Sequence, residues 1–294
     1  MRTRREARKP GGSRDARAEP LEEPIRPGKA IRLFETVDDF AFEKSRERAR
    51  LERQQSHIQK AYSGFTQQER VCFFSMLYDR FAERYDEHMG VETRHYQAIR
   101  RVLGYATPYL KFPILDITAG TGEPLTYALE LIERAIASHE FEGPVKREAF
   151  ANEISPRMLG KARRKLGGAA GFSSHDAYGL PKKFAGRFST VLCAQTFHLI
   201  PDSDKVRLVR SIHRALAPGG TAVVVEEDPF RISQTPPIEA VSLFLRAIVR
   251  PIKPDMIIGK FESLGFEHNG ETAVSPIDSD HSMHLHLFQK VTSI

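Results

Sequence analysis

Two cysteines in 294 residues, Cys72 and Cys193, are too few for a disulfide framework and cannot furnish a zinc site by themselves. That scarcity points to a reducing compartment, and a cytoplasmic location is expected. No run of the chain approaches the roughly 18 consecutive apolar residues that a membrane-spanning helix needs. The pair Arg4-Arg5 is not followed by the apolar core of an export signal. Excess basic charge is confined to one stretch. The net charge is +6, but residues 1–32 carry 10 Lys/Arg against 5 Asp/Glu, residues 33–60 carry 6 against 6, and the remainder carries 28 against 27. A basic groove across the globular part is therefore not supported, and nucleic acid is not expected as a partner.

What is present is enough to fold. Hydrophobic residues make up 40% and charged residues 28%, a balance that predicts a buried core. The composition divides the chain into three parts. Residues 1–32, rich in Arg, Pro, Gly and Glu, read as a disordered basic tail, because so few apolar groups cannot offset the entropy of ordering. A contact between this tail and RNA or an acidic partner is the sharper alternative to a plain solvated extension. Residues 33–68 read as a charged helical extension, and residues 69–294 as the globular domain. Val71, Phe74, Tyr78, Phe81 and Tyr85 recur at helical spacing and predict an amphipathic helix over 69–89. A second helix is predicted over Arg94–Leu103.

Beyond these helices, short apolar runs alternate with helical periodicity, and no internal repeat is evident. Phe112–Ile117, Glu148–Asn152, Phe188–Ala194 and Thr221–Val225 read as strands. Leu125, Leu129, Ile132 and Ile136 mark one intervening helix face. Val206, Val209, Ile212 and Leu216 mark another, stopped by Ala217-Pro218-Gly219-Gly220. Strands that are apolar throughout suit a sheet covered on both faces, so the pattern predicts an α/β fold with a mostly parallel sheet.

In such sheets a ligand sits beyond the carboxyl ends of the strands, where the first loop meets a helix N-terminus. That junction reads Asp116-Ile117-Thr118-Ala119-Gly120-Thr121-Gly122-Glu123-Pro124. Its two glycines permit a tight turn and close backbone approach, and Pro124 suits a first helical turn. A dinucleotide fingerprint would need a third glycine three positions after Gly122, where Leu125 stands.

The loop resembles instead the first motif of class I S-adenosylmethionine (SAM) dependent methyltransferases. Asp116, Gly120, Thr121 and Gly122 match it, with Thr118 in place of the usual Gly or Ala. Further segments follow in family order: Glu153-Ile154-Ser155-Pro156-Arg157-Met158-Leu159, His175-Asp176-Ala177-Tyr178-Gly179-Leu180-Pro181, His198-Leu199-Ile200-Pro201-Asp202 and Arg214-Ala215-Leu216-Ala217-Pro218-Gly219-Gly220. The resemblance covers roughly residues 70–290 and is nearest to the ubiquinone/menaquinone-biosynthesis type of small-molecule methyltransferase. It departs from that pattern in a longer link between Gly122 and Glu153, and in Ser189 where the family usually has Asp.

The resemblance implies a Rossmann-like seven-stranded sheet with an antiparallel last strand, SAM as cofactor, and a small, apolar or aromatic acceptor. It also implies a cofactor set of Asp116, Thr118, Ala119, Gly120, Thr121, Gly122, Glu153, Ile154, Asp176, Ala177 and Gln195. A strand-end carboxylate such as Glu153 is a natural reader of a ribose diol, since each hydroxyl donates a charge-assisted hydrogen bond. Asp176 and the Ala177 N–H suit adenine, Asp116 organises the loop, and Gln195 lies under the methionine portion. A helix cap or a solvated carboxylate is the plain alternative for each acid.

No catalytic residue stands out. Methyl transfer is an in-line displacement whose leaving group needs no acid, so alignment and deprotonation of the acceptor dominate. His198 is the best base candidate, with a structural histidine as the equal alternative. Tyr78 and Tyr85 suit a lid or core packing alike. His281, His284 and His286 lack a cysteine or a clear carboxylate partner, so no metal is expected. Leu243, Phe244 and Leu245 are candidates for an apolar acceptor pocket. A last helix is predicted over Gly259–Phe266 and a final strand over Met283–Val291. The competing functions are a nicotinamide-dependent oxidoreductase on a similar sheet and a non-catalytic, RNA-associated module.

Overall fold

Strand β1 (Ile114–Asp116) is buried along its whole length, with β2 (Ala149–Asn152) paired in parallel on one side and β4 (Phe188–Ala194) on the other. These contacts come from a computed structural model, which describes residues 28–38, 47–92, 94–138, 147–227, 244, 248–249, 253–274 and 283–292. β3 (Gly171–Ser173) extends the sheet beyond β2, and β5 (Leu216–Glu227) pairs in parallel with β4. β7 (Met283–Lys290) runs antiparallel to β5, and β6 (Phe266–Val274) closes the edge against it. Among the described residues the order is β3-β2-β1-β4-β5-β7-β6, seven strands of which β7 alone is reversed. The expected α/β architecture is present.

The all-apolar strands have their predicted consequence, two covered faces. Ile114, Leu192, Val223 and Leu285 pack against α4 (His95–Tyr105), α5 (Glu123–Ala137) and α6 (Pro156–Leu166). Leu115, Val191, Val224 and Phe288 face α7 (Asp202–Ala215) and α8 (Pro254–Glu262).

A further layer lies N-terminal to the sheet. Helix α1 (Gly28–Asp38) buries Ala30 and Leu33, and α2 (Glu47–Ser63) buries Ile58 and Tyr62. Both meet Phe73 and Leu77 of α3 (Gln67–Glu87), together with Phe244 and Ile248. Thr66 caps α3: its Oγ1 accepts from the Glu69 N–H at 3.2 Å, and Glu69 Oε2 accepts from the Thr66 N–H at 2.8 Å. Helix α3 also crosses to α6, where Asp79 Oδ1 accepts from the Arg157 N–H at 2.9 Å and from the Ser155 hydroxyl.

Several boundaries differ from expectation for identifiable reasons. Residues 28–32, assigned by composition to the tail, belong to α1, because Ala30 and Leu33 find apolar partners on α3 that local composition does not reveal. Residues 1–27 lie outside the described region, as do Leu243, Leu245 and His281. The Ala217-Pro218-Gly219-Gly220 stop ends α7, but it is a bulged excursion within β5. Leu216 pairs with Phe188 before the register shifts to Thr221 opposite Thr190. The last helix starts at Pro254 rather than Gly259, and ends before Gly265, whose φ of +84° turns the chain into β6.

Candidate cofactor cleft

The carboxyl ends of β1, β2 and β4 open into a cleft of about 800 Å3, its mouth included. Thr118, Gly120, Glu153, Ile154, Asp176, Ala177 and Gln195 all line it. The glycine loop and the two proposed carboxylates thus share one cavity, although Glu153 and Asp176 lie 33 and 56 residues beyond Gly120 in sequence. Parallel strand pairing makes this possible, since β1, β2 and β3 all end on the same side.

The loop is held by its own backbone and by the next strand. The Ala119 N–H donates to Asn152 O at 2.9 Å, and the Gly120 N–H donates to Glu153 Oε2 at 2.9 Å. Glu153 Oε1 accepts from the Ser155 N–H at 2.8 Å. Gly120 has φ of +54°, a left-handed conformation that disfavours any side chain, and an added Cβ would stand 4.0 Å from the Tyr85 ring. Gly122, at φ of +84°, serves packing instead: a Cβ there would lie 3.0 Å from Leu166 and 3.2 Å from Ala162 of α6. Thr121 is buried and bonded to Asp86 and Tyr96 of the N-terminal helices. Ala119, Thr121 and Gly122 therefore shape the loop from behind rather than line the cleft.

Asp116 is fully buried beneath the loop. Its Oδ1 accepts from the Thr118 N–H at 3.3 Å, while Oδ2 has no hydrogen-bond partner among the described residues. Burial pushes its carboxyl up to about 8. The same desolvation raises Glu153 and Asp176 above the ordinary carboxylate range. Asp176 Oδ1 accepts from the Tyr178 N–H at 2.9 Å, and Gln67 donates to Oδ2 at 3.5 Å. Among the described residues that line the cleft there is no Lys or Arg. The lining thus offers carboxylate acceptors to a ligand's hydroxyl and amino groups, and no basic side chain to a pyrophosphate.

Gln195 follows β4 with φ of +56°, uncommon for a residue with a side chain, and its Nε2 donates to Met283 Sδ at 3.1 Å. The turn that follows is gripped by Glu226 of β5. Its Oε1 accepts from the N–H groups of Thr196 at 2.9 Å and Phe197 at 2.8 Å, and His198 Nδ1 lies 2.7 Å from Oε2. His198 is buried in that arrangement and is not among the cleft-lining residues, so the structure gives it a bracing position.

Helix α3 roofs the cavity with Val71, Phe74, Tyr78 and Tyr85. Burial raises both phenols above their ordinary range, so they are neutral at physiological pH and can donate but not act as bases. Asn152, His175, Tyr178 and Thr196 complete the wall without having been singled out from the sequence. His175 and Tyr178 lie within the quoted Asp176 segment and Asn152 adjoins the Glu153 segment, so their strand-end positions were the available signal. Asn152 Nδ2 donates to Ile117 O at 3.0 Å and to His175 O at 2.9 Å, tying the ends of β1 and β3 together.

Comparison with known proteins agrees with this geometry. Residues 114–220 match the family model described as a methyltransferase domain. A demethylmenaquinone methyltransferase from Thermus thermophilus is 33% identical over 168 residues, which span 55% of this chain and 67% of that protein. Among solved structures, an S-adenosylmethionine dependent methyltransferase from Listeria monocytogenes superposes with a TM-score of 0.50 at 14% identity, covering 67% of this chain and 100% of its own. A methyltransferase in complex with the Haloferax volcanii Trm112 activator gives a TM-score of 0.55 at 17% identity, covering 73% of this chain and 98% of its own. These two likenesses concern the fold. With a glycine loop lacking the third dinucleotide glycine, two acidic strand ends facing it across one cleft, and a close curated relative, the chain belongs to the class I S-adenosylmethionine-dependent methyltransferases and takes S-adenosylmethionine as its cofactor.

Proposed function

We propose that this enzyme methylates a small, apolar or aromatic acceptor held under helix α3, next to the cofactor loop. The observation that carries the reading is the composition of the roof and far wall. Val71, Phe74, Tyr78, Tyr178, Leu199 and Leu208 give the cleft an apolar, half-aromatic surface alongside its carboxylates. Such a wall recovers free energy by removing a planar apolar molecule from water, and aromatic pairs add edge-to-face contacts. The Thermus thermophilus relative is named for demethylmenaquinone, an acceptor of this type, which supports the same reading.

When bound, S-adenosylmethionine supplies an electrophilic methyl group on a sulfonium. The protein's residues then have separable tasks. Glu153 accepts from the ribose diol with the lone pairs its two backbone donors leave free, and Asp176 with the Ala177 N–H takes the adenine. Gly120 allows the loop backbone to approach closely, while Asp116, Ala119, Thr121 and Gly122 hold the loop's shape. Thr118 and Gln195 floor the methionine end, and Ile154 packs beside the adenosyl group. Binding of the cationic cofactor favours the ionised forms of Glu153 and Asp176, against the desolvation that raises them. Helix α3 excludes water and fixes the acceptor's approach, the positioning term that dominates such displacements. Tyr78 and Tyr85 are neutral and His198 is committed to Glu226, which leaves His175, with Nδ1 2.8 Å from Ser173 Oγ, as the imidazole in the cleft wall for an acceptor that needs a base. In this scheme α1 and α2 support the roof from behind, through Leu33, Ile58 and Tyr62 packed against Phe73 and Leu77 of α3.

The test is a panel of acceptors assayed by release of S-adenosylhomocysteine. Turnover with lipophilic phenols or quinols, a demethylated menaquinol analogue among them, is the expected result. Turnover confined to polar metabolites or RNA would overturn the acceptor class.

A further inference from the structure

On the sheet edge away from the cofactor loop, three potential ligands converge where the sequence offered His281, His284 and His286 without a clear carboxylate partner; His281 lies outside the described residues. One donor atom each from Glu271, His284 and His286 lies within 4.8 Å of the other two. The strand register brings them together: Glu271 of β6 is the direct partner of His286 on β7, and His284 stands two residues along the same face. The irregularity between His268 and Gly270 sets that alignment, which is why Glu271 could not be paired with the histidines by spacing.

Two observations mark the cluster as more than a surface ion pair. His284 Nδ1 already lies 3.1 Å from Glu271 Oε1. His286 is 1% exposed, yet its Nδ1 has no hydrogen-bond partner among the described residues. A buried ring nitrogen without a partner is costly unless something fills the vacancy. His268 Nε2, on the same face, is likewise buried without a partner, and its ring centre lies 6.1 Å from that of His286.

We propose that Glu271, His284 and His286 bind one divalent transition-metal ion of the zinc class, with His268 as the nearest further donor. Two imidazoles and a carboxylate suit zinc and its neighbours rather than calcium or magnesium, which prefer all-oxygen sites. Tetrahedral donors at bond lengths of about 2.1 Å stand roughly 3.4 Å apart, so side-chain movements of about an ångström close the set. The ion would tie β6 to β7 beside β5, where Glu226, the brace of the Thr196–His198 turn, is the register partner of His284. Its role would be structural and separate from the methyl-transfer cleft.

The full chain without an affinity tag, stripped of metal by chelation, should be titrated with Zn2+ by calorimetry and with Co2+ by visible absorption. One equivalent should bind, with cobalt bands characteristic of low coordination number and a raised melting temperature. Glu271→Gln and His284→Gln, both on the accessible side of the cluster, should each weaken binding at least tenfold while leaving the circular dichroism spectrum and S-adenosylmethionine affinity intact. Absence of stoichiometric binding, or binding that either substitution leaves unchanged, would overturn the site.

Discussion

The carboxylate of Glu153 accepts the backbone N–H of Gly120 at 2.9 Å, so the residue proposed to read the ribose also braces the loop facing it. Recognition and loop shape are coupled through one side chain. Glu153→Ala should therefore weaken S-adenosylmethionine binding by about 1–3 kcal/mol, through loss of a charged acceptor and of loop order together. Calorimetric titration measures this directly. An unchanged dissociation constant in a folded variant removes Glu153 from the site.

The two glycines of the loop should fail in different ways. Gly120→Val places a β-branched side chain in a left-handed conformation facing the cleft, so cofactor binding should be lost while the fold is kept. Gly122→Ala puts a methyl against Leu166 and Ala162, so it should lower stability by about 1–3 kcal/mol through overpacking and strain. Circular dichroism, urea denaturation and cofactor titration separate the two outcomes.

Asp116 makes folding stability depend on pH in the direction opposite to that of a salt-bridged acid. Its folded value is raised by burial to about 8 from an ordinary 3.8, so the folded state binds the extra proton between those values. The contribution is fully present at acid pH and is lost as pH rises through about 8. Glu153, also raised by burial, acts in the same direction. Melting temperature measured from pH 5 to 9 should fall for the native chain more steeply than for Asp116→Asn, which cannot titrate. Parallel curves would show that Asp116 is ionised throughout.

The roof is clasped to the domain by Arg70, whose Nε lies 2.7 Å from Asp204 Oδ2 of α7, in a pair that is nearly buried at the acid. The same guanidinium donates to Phe65 O. Arg70→Ala leaves Asp204 buried without its charge partner and should cost about 3 kcal/mol of stability. Denaturant midpoints, with m-values to check that the unfolded state is unaltered, provide the measurement.

Elements written in contiguous residues were legible. The apolar strands, the helix stripes and the turn from Asp116 to Gly122 each carry their signal within ten or so positions. Pairings between distant segments were not. Nothing local links Asp86 to Thr121, Arg70 to Asp204, or Glu226 to the turn at Thr196, because sheet order and helix packing bring them together. The start of α8 was available in principle, since Pro254 occupies the first helical turn, where proline is favoured. Strand β6 was obscured by Glu267, Asn269, Gly270 and Glu271, which do not alternate cleanly on an edge exposed to solvent. His198 shows the converse: the residue type suggested chemistry, and the neighbour Glu226 gave it another job.

Because Val71, Phe74 and Tyr78 precede β1 in the chain, much of the surface proposed to meet the acceptor is encoded apart from the loop proposed to hold the donor. Substitutions in the earlier stretch can retune which molecule fits while the nucleoside grip stays constant. On that reading, acceptor preference is set jointly by α3 and by Tyr178, Leu199 and Leu208, with the helix as the part that varies independently of the sheet.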